Sequence, residues 1–230
     1  MKTIFLIFSF ILLFFSKSYA ASGSGEATKY IVTMKKVEIC EDSACNTSHT
    51  IGERNMDADI ASVTAGADVG NYAPTTGIPI GKTYTHLRVT IGRTFQVTGS
   101  VDLSSGDDCW TNGGKAASTT QMVLGKTSVG SGAVQTKMIL TDAGNYGAAD
   151  GTKDSASNIT MSYDSPTYAS SMSVSGDNAV MIYKLTSAYT AGLKPPAIRI
   201  KFDVSSAIGA ENTACAMWVE EPLVTIALTE

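Results

Sequence analysis

Between Tyr84 and Gly99 the chain reads YTHLRVTIGRTFQVTG, and its apolar residues fall on alternate positions. Leu87, Val89, Ile91, Phe95 and Val97 take the odd places, while His86, Arg88, Thr90, Thr94 and Gln96 take the even ones. A helix cannot use that order, because its faces repeat roughly every 3.6 residues. A strand can, since successive side chains point to opposite faces of a sheet. The pattern predicts an antiparallel strand with the odd set in a core and the even set, His86 included, in water. Gly81 supplies a turn before it, and Gly92 is expected to mark a bulge.

The same grammar recurs. From Tyr30 the apolar positions are Tyr30, Val32 and Met34, and they then change parity to Val37 and Ile39. A β-bulge at Lys35–Lys36 would keep both sets on one face. Further strands are expected at 121–124, 134–140, 159–163, 179–185, 197–204, 213–219 and 223–228. Between residues 46 and 73 the pattern is mixed, with one short helical turn expected at 57–63. About ten short strands with turn signals between them predict a sandwich. A transmembrane barrel is the rival all-β reading, weakened by the lack of aromatic girdles and of a terminal aromatic.

The chain opens MKTIFLIFSFILLFFSKSYA, with a basic residue at Lys2, an apolar core from Ile4 to Phe15 and small residues at Ser18 and Ala20. This is the anatomy of a secretory signal peptide, so residues 1–20 are expected to be cleaved and 21–29 to form a flexible leader. Loss of Lys2 and Lys17 leaves 15 basic residues against 21 acidic ones, a net charge of −6. An acidic, mixed surface argues against nucleic acid or anionic lipid as a partner. The expected location is outside the cell or at its surface, with the periplasm also compatible, and without membrane insertion after cleavage.

Four cysteines in an exported chain imply disulfides, with three possible pairings. Cys40 and Cys45 flank the turn-forming tetrapeptide EDSA, which favours a local bridge. Cys109 and Cys215 would then pair across most of the domain. The alternative, zinc, is opposed by the C-x₄-C spacing and by histidines that stand alone at His49 and His86. HExxH, GxSxG, SxxK and CxxC motifs are absent, although a triad needs no sequence adjacency. Asp42, Asp107, Asp108, Asp150 and Asp154 could approach calcium, but DGTKD lacks the EF-hand order and its distal glutamate. No metal, cofactor or enzymatic activity is expected. Trp110 and Trp218 neighbour Cys109 and Cys215 in sequence and are expected to pack around that bridge. Asn46 and Asn158 stand in glycosylation sequons.

The strings YIVTMKKVEIC and GIPIGKTYTHLRVTI, covering residues 30 to about 99, resemble prealbumin-like β-sandwich domains of unknown function in secreted bacterial proteins. Val32, Lys36, Val37, Glu38 and Cys40 match the first strand of those domains, and Pro79, Gly81, Tyr84 and Arg88 match the second. Lys82 and Thr83 make the glycine-to-tyrosine spacing one residue longer than usual. The resemblance implies an immunoglobulin-like or prealbumin-like sandwich and export, and it carries no catalytic residues.

Residues 30–230 are therefore expected to form a single sandwich with a polar excursion over 141–178. Tyr146, Tyr163 and Tyr168 lie there among Gly, Ser, Asp and Asn, a composition suited to adaptable contact loops. The expected role is a structural subunit of a surface assembly such as a filament, fimbria or matrix fibre, formed by self-association. Tyr30, Val32 and Met34 would be the side chains of a strand donated to a neighbouring copy. The alternative is a secreted binding module for glycans or other surface ligands, using the tyrosine-bearing excursion.

Overall fold

The structure is a computed structural model that describes residues 22–62, 77–103, 108–114, 123–126, 132–140, 158–160, 169–211 and 215–229. All its regular elements are strands: β1 (Ser22–Gly25), β2 (Ala27–Cys40), β3 (Ser48–Asp59), β4 (Thr83–Asp102), β5 (Asp108–Trp110), β6 (Val123–Leu124) and β7 (Thr136–Ile139). They continue with β8 (Asn158–Thr160), β9 (Ala169–Ser175), β10 (Asn178–Thr190), β11 (Ala197–Asp203), β12 (Ile208–Glu211), β13 (Ala216–Val219) and β14 (Leu223–Thr229). The strand prediction was correct in class: the chain is an all-β sandwich of antiparallel sheets.

The largest sheet runs β3-β2-β4-β10-β9-β8, with β5 and β7 also paired to β4. A second sheet has the order β1-β12-β13-β6, and β11 pairs with β14 in a third. One apolar core joins all three. It contains Val32, Leu87, Phe95 and Met181 from the large sheet, Ile208 and Met217 from the second, and Val224 and Ile226 from the third. Along β4, Leu87, Phe95 and Val97 are buried, Val89 and Ile91 pack against the core half-buried, and Gln96 is exposed.

Both expected irregularities are present. The β2 register shifts between Met34 and Lys36 against β3 and against β4. Near Gly92, β4 exchanges its β10 partner for β7: Asn178 pairs with Gly92, and Ile139 pairs with Thr94.

Four expectations need correction. Ser22–Gly25 is not a flexible leader but a strand paired with β12. Gly25 serves close approach rather than freedom, since a Cβ there would overlap the Ser100 carbonyl oxygen. Among the described residues 57–62 there is no helical turn, because Asp57–Asp59 end β3 and Ile60–Ser62 turn out of it. The polar excursion holds, besides β8 at the start of the strand expected over 159–163, the unexpected β9. In ASSMSVS the buried Met172 and Val174 alternate with serines, a strand pattern diluted by small residues. Finally, His86 is buried, for a reason given below.

Candidate functional site

Strand alternation places two arrangements of side chains on opposite faces of the large sheet. On the outer face, cross-strand pairing sets Glu38 opposite Arg88, and Cys40 opposite His86. The Arg88 guanidinium donates to Glu38 through Nε at 2.7 Å and Nη2 at 2.9 Å, a two-point charge-assisted contact. Lys36 Nζ lies 3.1 Å from the same carboxylate. These bonds, that from Arg88 first, hold the Glu38 carboxyl below the usual range against the opposing effect of its own burial.

Arg88 also reaches over the EDSA turn, donating from Nη1 to the Cys45 carbonyl at 3.2 Å. The turn itself is tied by Asp42, whose carboxylate accepts from the backbone N–H groups of Ala44, Asn46 and Thr47. Cys40 and Cys45 form a disulfide with Cα atoms 4.9 Å apart. With Ile182 these cysteines make a small apolar cluster on what alternation alone marks as the wet face. His86, opposite Cys40 beside this cluster, is buried, and its Nδ1 lies 2.8 Å from Thr85 Oγ1. Lys36, Glu38, Cys40 and Arg88 therefore act together as a lock on the strand exit. The two cysteines five positions apart thus serve as architecture.

The second disulfide joins Cys109 on β5 to Cys215 just before β13, with Cα atoms 5.5 Å apart. It ties the large sheet, through β5 on β4, to the second sheet. Gly125 packs against it, where a Cβ would lie 3.1 Å from Cys215 Sγ and would overlap Met217 Sδ and the Trp110 carbonyl oxygen. Trp218 instead lies across Gly209, its cross-strand neighbour, where any Cβ would strike the indole ring. Its Nε1 donates to Glu220 Oε1.

The inner face carries the other arrangement. Tyr30, Val32 and Met34, the three residues predicted for a donated strand, line an apolar cavity with a free volume of about 80 Å³. Its walls include Phe95 from β4, Met172 from β9, Met181 from β10 and Phe202 from β11. The Tyr30 ring meets Phe95 edge-on, centroids 5.5 Å apart. Hydrogen bonds tie the segment that closes one end. There Tyr30 Oη donates to the Glu220 carbonyl at 3.0 Å, and Glu221 Oε1 accepts from the Ala169 N–H at 2.8 Å. Burial raises the Glu220 carboxyl above its ordinary range, partly offset by the bond from Trp218, and burial also raises the Tyr30 phenol.

The stretch Ala27–Met34 is paired within its own chain, to β4 along its length and to β3 from Ile31 onward. Tyr146, Tyr163 and Tyr168 lie outside the described residues. Among the described residues no group of three His, Cys, Asp or Glu side chains could hold a metal ion. No helix among them is long and apolar enough to cross a membrane. Sequence reading missed the cavity and the Glu220–Glu221 segment beside it. The signal available was the string WVEEP between two strands, with two carboxylates beside an aromatic and a proline. Compared with known protein families, characterised proteins and solved structures, the chain matches none.

Proposed function

We propose that this chain is an exported structural subunit of a surface assembly, a filament, fimbria or matrix fibre, built by self-association. The two cysteine pairs are compatible with an oxidising compartment outside the cytoplasm. The observation that carries the reading is a pair of apolar side chains in solvent at one end of the β4–β10 seam. Leu193 is 91% exposed and Ile80 is 64% exposed. Their loops are joined by bonds from Gly81 N to the Ala191 carbonyl and from Ala191 N to the Lys82 carbonyl. Burial of a leucine and an isoleucine on a neighbouring copy would contribute roughly 1.5–3 kcal/mol each. A contact from this end to a different patch on the next copy does not close, and so it grows a fibre. The resemblance to prealbumin-like secreted domains belongs to this proposal.

Strand donation is one form the assembly could take. It would require Ala27–Met34 to leave both ladders, with the bulge before Lys36 as the point of separation. Electron microscopy of the purified mature protein tests the assembly itself: ordered polymers are expected, and they should be lost in Leu193→Asp while the fold persists. A monodisperse monomer at the highest soluble concentration would overturn the reading. A chain beginning at Lys35, with an added Glu26–Met34 peptide, tests the donated strand. Rescue of folding by the peptide supports exchange, and failure of rescue removes it. The second reading, a secreted binding module, is favoured by the apolar cavity.

A further inference from the structure

We infer that the open edge of β11 and the apolar cavity beside it form a docking groove for an extended segment of another protein, apolar at alternate positions and acidic between them. The inference does not depend on self-association. β11 (Ala197–Asp203) pairs with β14 alone. Among the described residues, nothing exchanges backbone hydrogen bonds with its other edge. Such an edge is a row of N–H and C=O groups on which one more strand can form.

The cavity lies on that open side. Ile200 lines it, whereas Ile226, its partner across the ladder, does not. Burial follows the same division. Val224, Ile226 and Leu228 of β14 are buried, while Ile198, Ile200 and Phe202 of β11 are only half-buried. The lining residues Val89 and Ile91 of β4 are half-buried too. The free space of about 80 Å³ is several times the roughly 10–15 Å³ that holds one water. Water is a poor occupant, because it needs two to four polar partners and the wall is apolar. Apolar side chains fit. In a strand added to β11, the residues opposite Ile198, Ile200 and Phe202 share their face and point at the cavity. Main-chain hydrogen bonds would then supply affinity, and the cavity would select alternate side chains.

Charge selects the residues between. Arg199 and Lys201 lie on the other face of β11, exposed, with no ion pair or hydrogen bond from their side chains among the described residues. Opposite charges directly across a ladder attract, and like charges repel. A second β11 is therefore a poor partner, since an antiparallel pair centred on Ile200 would set Arg199 against Lys201. Carboxylates in those places are favoured. This chain's own longest apolar–acidic alternation, Met56–Ile60 (MDADI), is already engaged: Met56–Asp59 pair with β2, and Ala58 and Ile60 are buried. The fitting segment thus belongs to a different protein.

A capped heptapeptide, valine-aspartate-isoleucine-glutamate-valine-aspartate-isoleucine, titrated by calorimetry into the disulfide-bonded mature protein, tests the groove. Two control peptides have the same length, one with lysine for every acid and one with serine for every apolar residue. Saturable 1:1 binding, at least tenfold tighter than either control, is expected. Arg199→Glu/Lys201→Glu should reverse the preference between the acidic and lysine peptides while strand circular dichroism is unchanged. Absence of saturable binding by the acidic peptide would overturn the groove. So would equal binding of the serine peptide, or an unchanged preference in the folded double variant. A stoichiometry that falls below one as protein concentration rises would place a second copy in the groove and overturn the assigned occupant. Polymerisation through the Leu193 end is read separately by microscopy, and none of these outcomes decides it.

Discussion

Replacing each cysteine pair by alanine, one pair at a time, should expose how differently the two bridges act. The perturbation is Cys109→Ala/Cys215→Ala in one protein and Cys40→Ala/Cys45→Ala in the other. The bridged residues are separated by 106 positions in the first case and 5 in the second. In the chain-entropy treatment the unfolded state loses freedom in proportion to the logarithm of loop length, which gives about 4.8 kcal/mol for the long loop and about 2.2 kcal/mol for the short one. Structure widens that gap. The short loop keeps its shape through Asp42 and through Arg88 on the Cys45 carbonyl, so its folded form survives without sulfur. The long bridge is the covalent tie between the two larger sheets. Urea denaturation followed by strand circular dichroism, with the midpoint and slope both fitted, measures each loss. A long-bridge loss of about 4–5 kcal/mol and a short-bridge loss of about 2 kcal/mol or less are expected. Equal losses, or a long-bridge loss under about 1 kcal/mol, would refute the entropic account and the assigned roles.

The outer-face lock predicts an acid response. Glu38 is held below the ordinary carboxylate range in the folded state, so its stabilisation is present at and above the ordinary value and is lost as pH falls through the lowered one. Glu38→Gln should flatten that acid limb and, by leaving Arg88 half-buried without its partner, cost up to about 3–5 kcal/mol at neutral pH. An unchanged acid limb in denaturation measured across pH would contradict the assignment. Glu220 has the opposite sign, because its raised value favours the folded state at low pH and that benefit fades as pH rises from the ordinary value through the raised one. Glu220→Gln should therefore remove a decline in thermal midpoint within that window. In β4, Leu87→Ala should cost about 2–5 kcal/mol and Thr90→Ala no more than about 1 kcal/mol. Comparable losses at the two positions in urea denaturation would mean that the buried face is wrongly assigned.

Strand class, the β4 alternation and the β2 bulge were legible because they depend on local order along one strand. The cysteine pairing was legible because a four-residue turn leaves two distant partners. What failed was decided across strands. His86 has the sequence position of a wet residue, yet it is buried between Cys40 of β2 and Lys184 of β10. Met172 and Val174 were hidden among serines, whose small side chains weaken the apolar signal without breaking the period. The SGSG stretch reads as freedom in one dimension, yet at Gly25 β1 needs glycine because β4 runs too close for a side chain there. The cavity has no local signature at all, since its lining comes from strands that are neighbours only in space.

The twenty residues of β4 also make the order of synthesis matter. The hairpins β2–β3, β9–β10 and β12–β13 can close as soon as they emerge, because their partners are close in sequence. The seam between β4 and β10 cannot, since Tyr84 must wait for Tyr189. Topologies ruled by such distant pairings fold in milliseconds to seconds or more slowly, because the loop must close before its contacts reward it. During that wait one flank of β4 is an open template. A chain that leaves a membrane N-terminus first would pass through a state in which β2 and β3 are formed and β4 still lacks β10. At high local concentration, that interval is when a neighbouring copy could supply the missing strand.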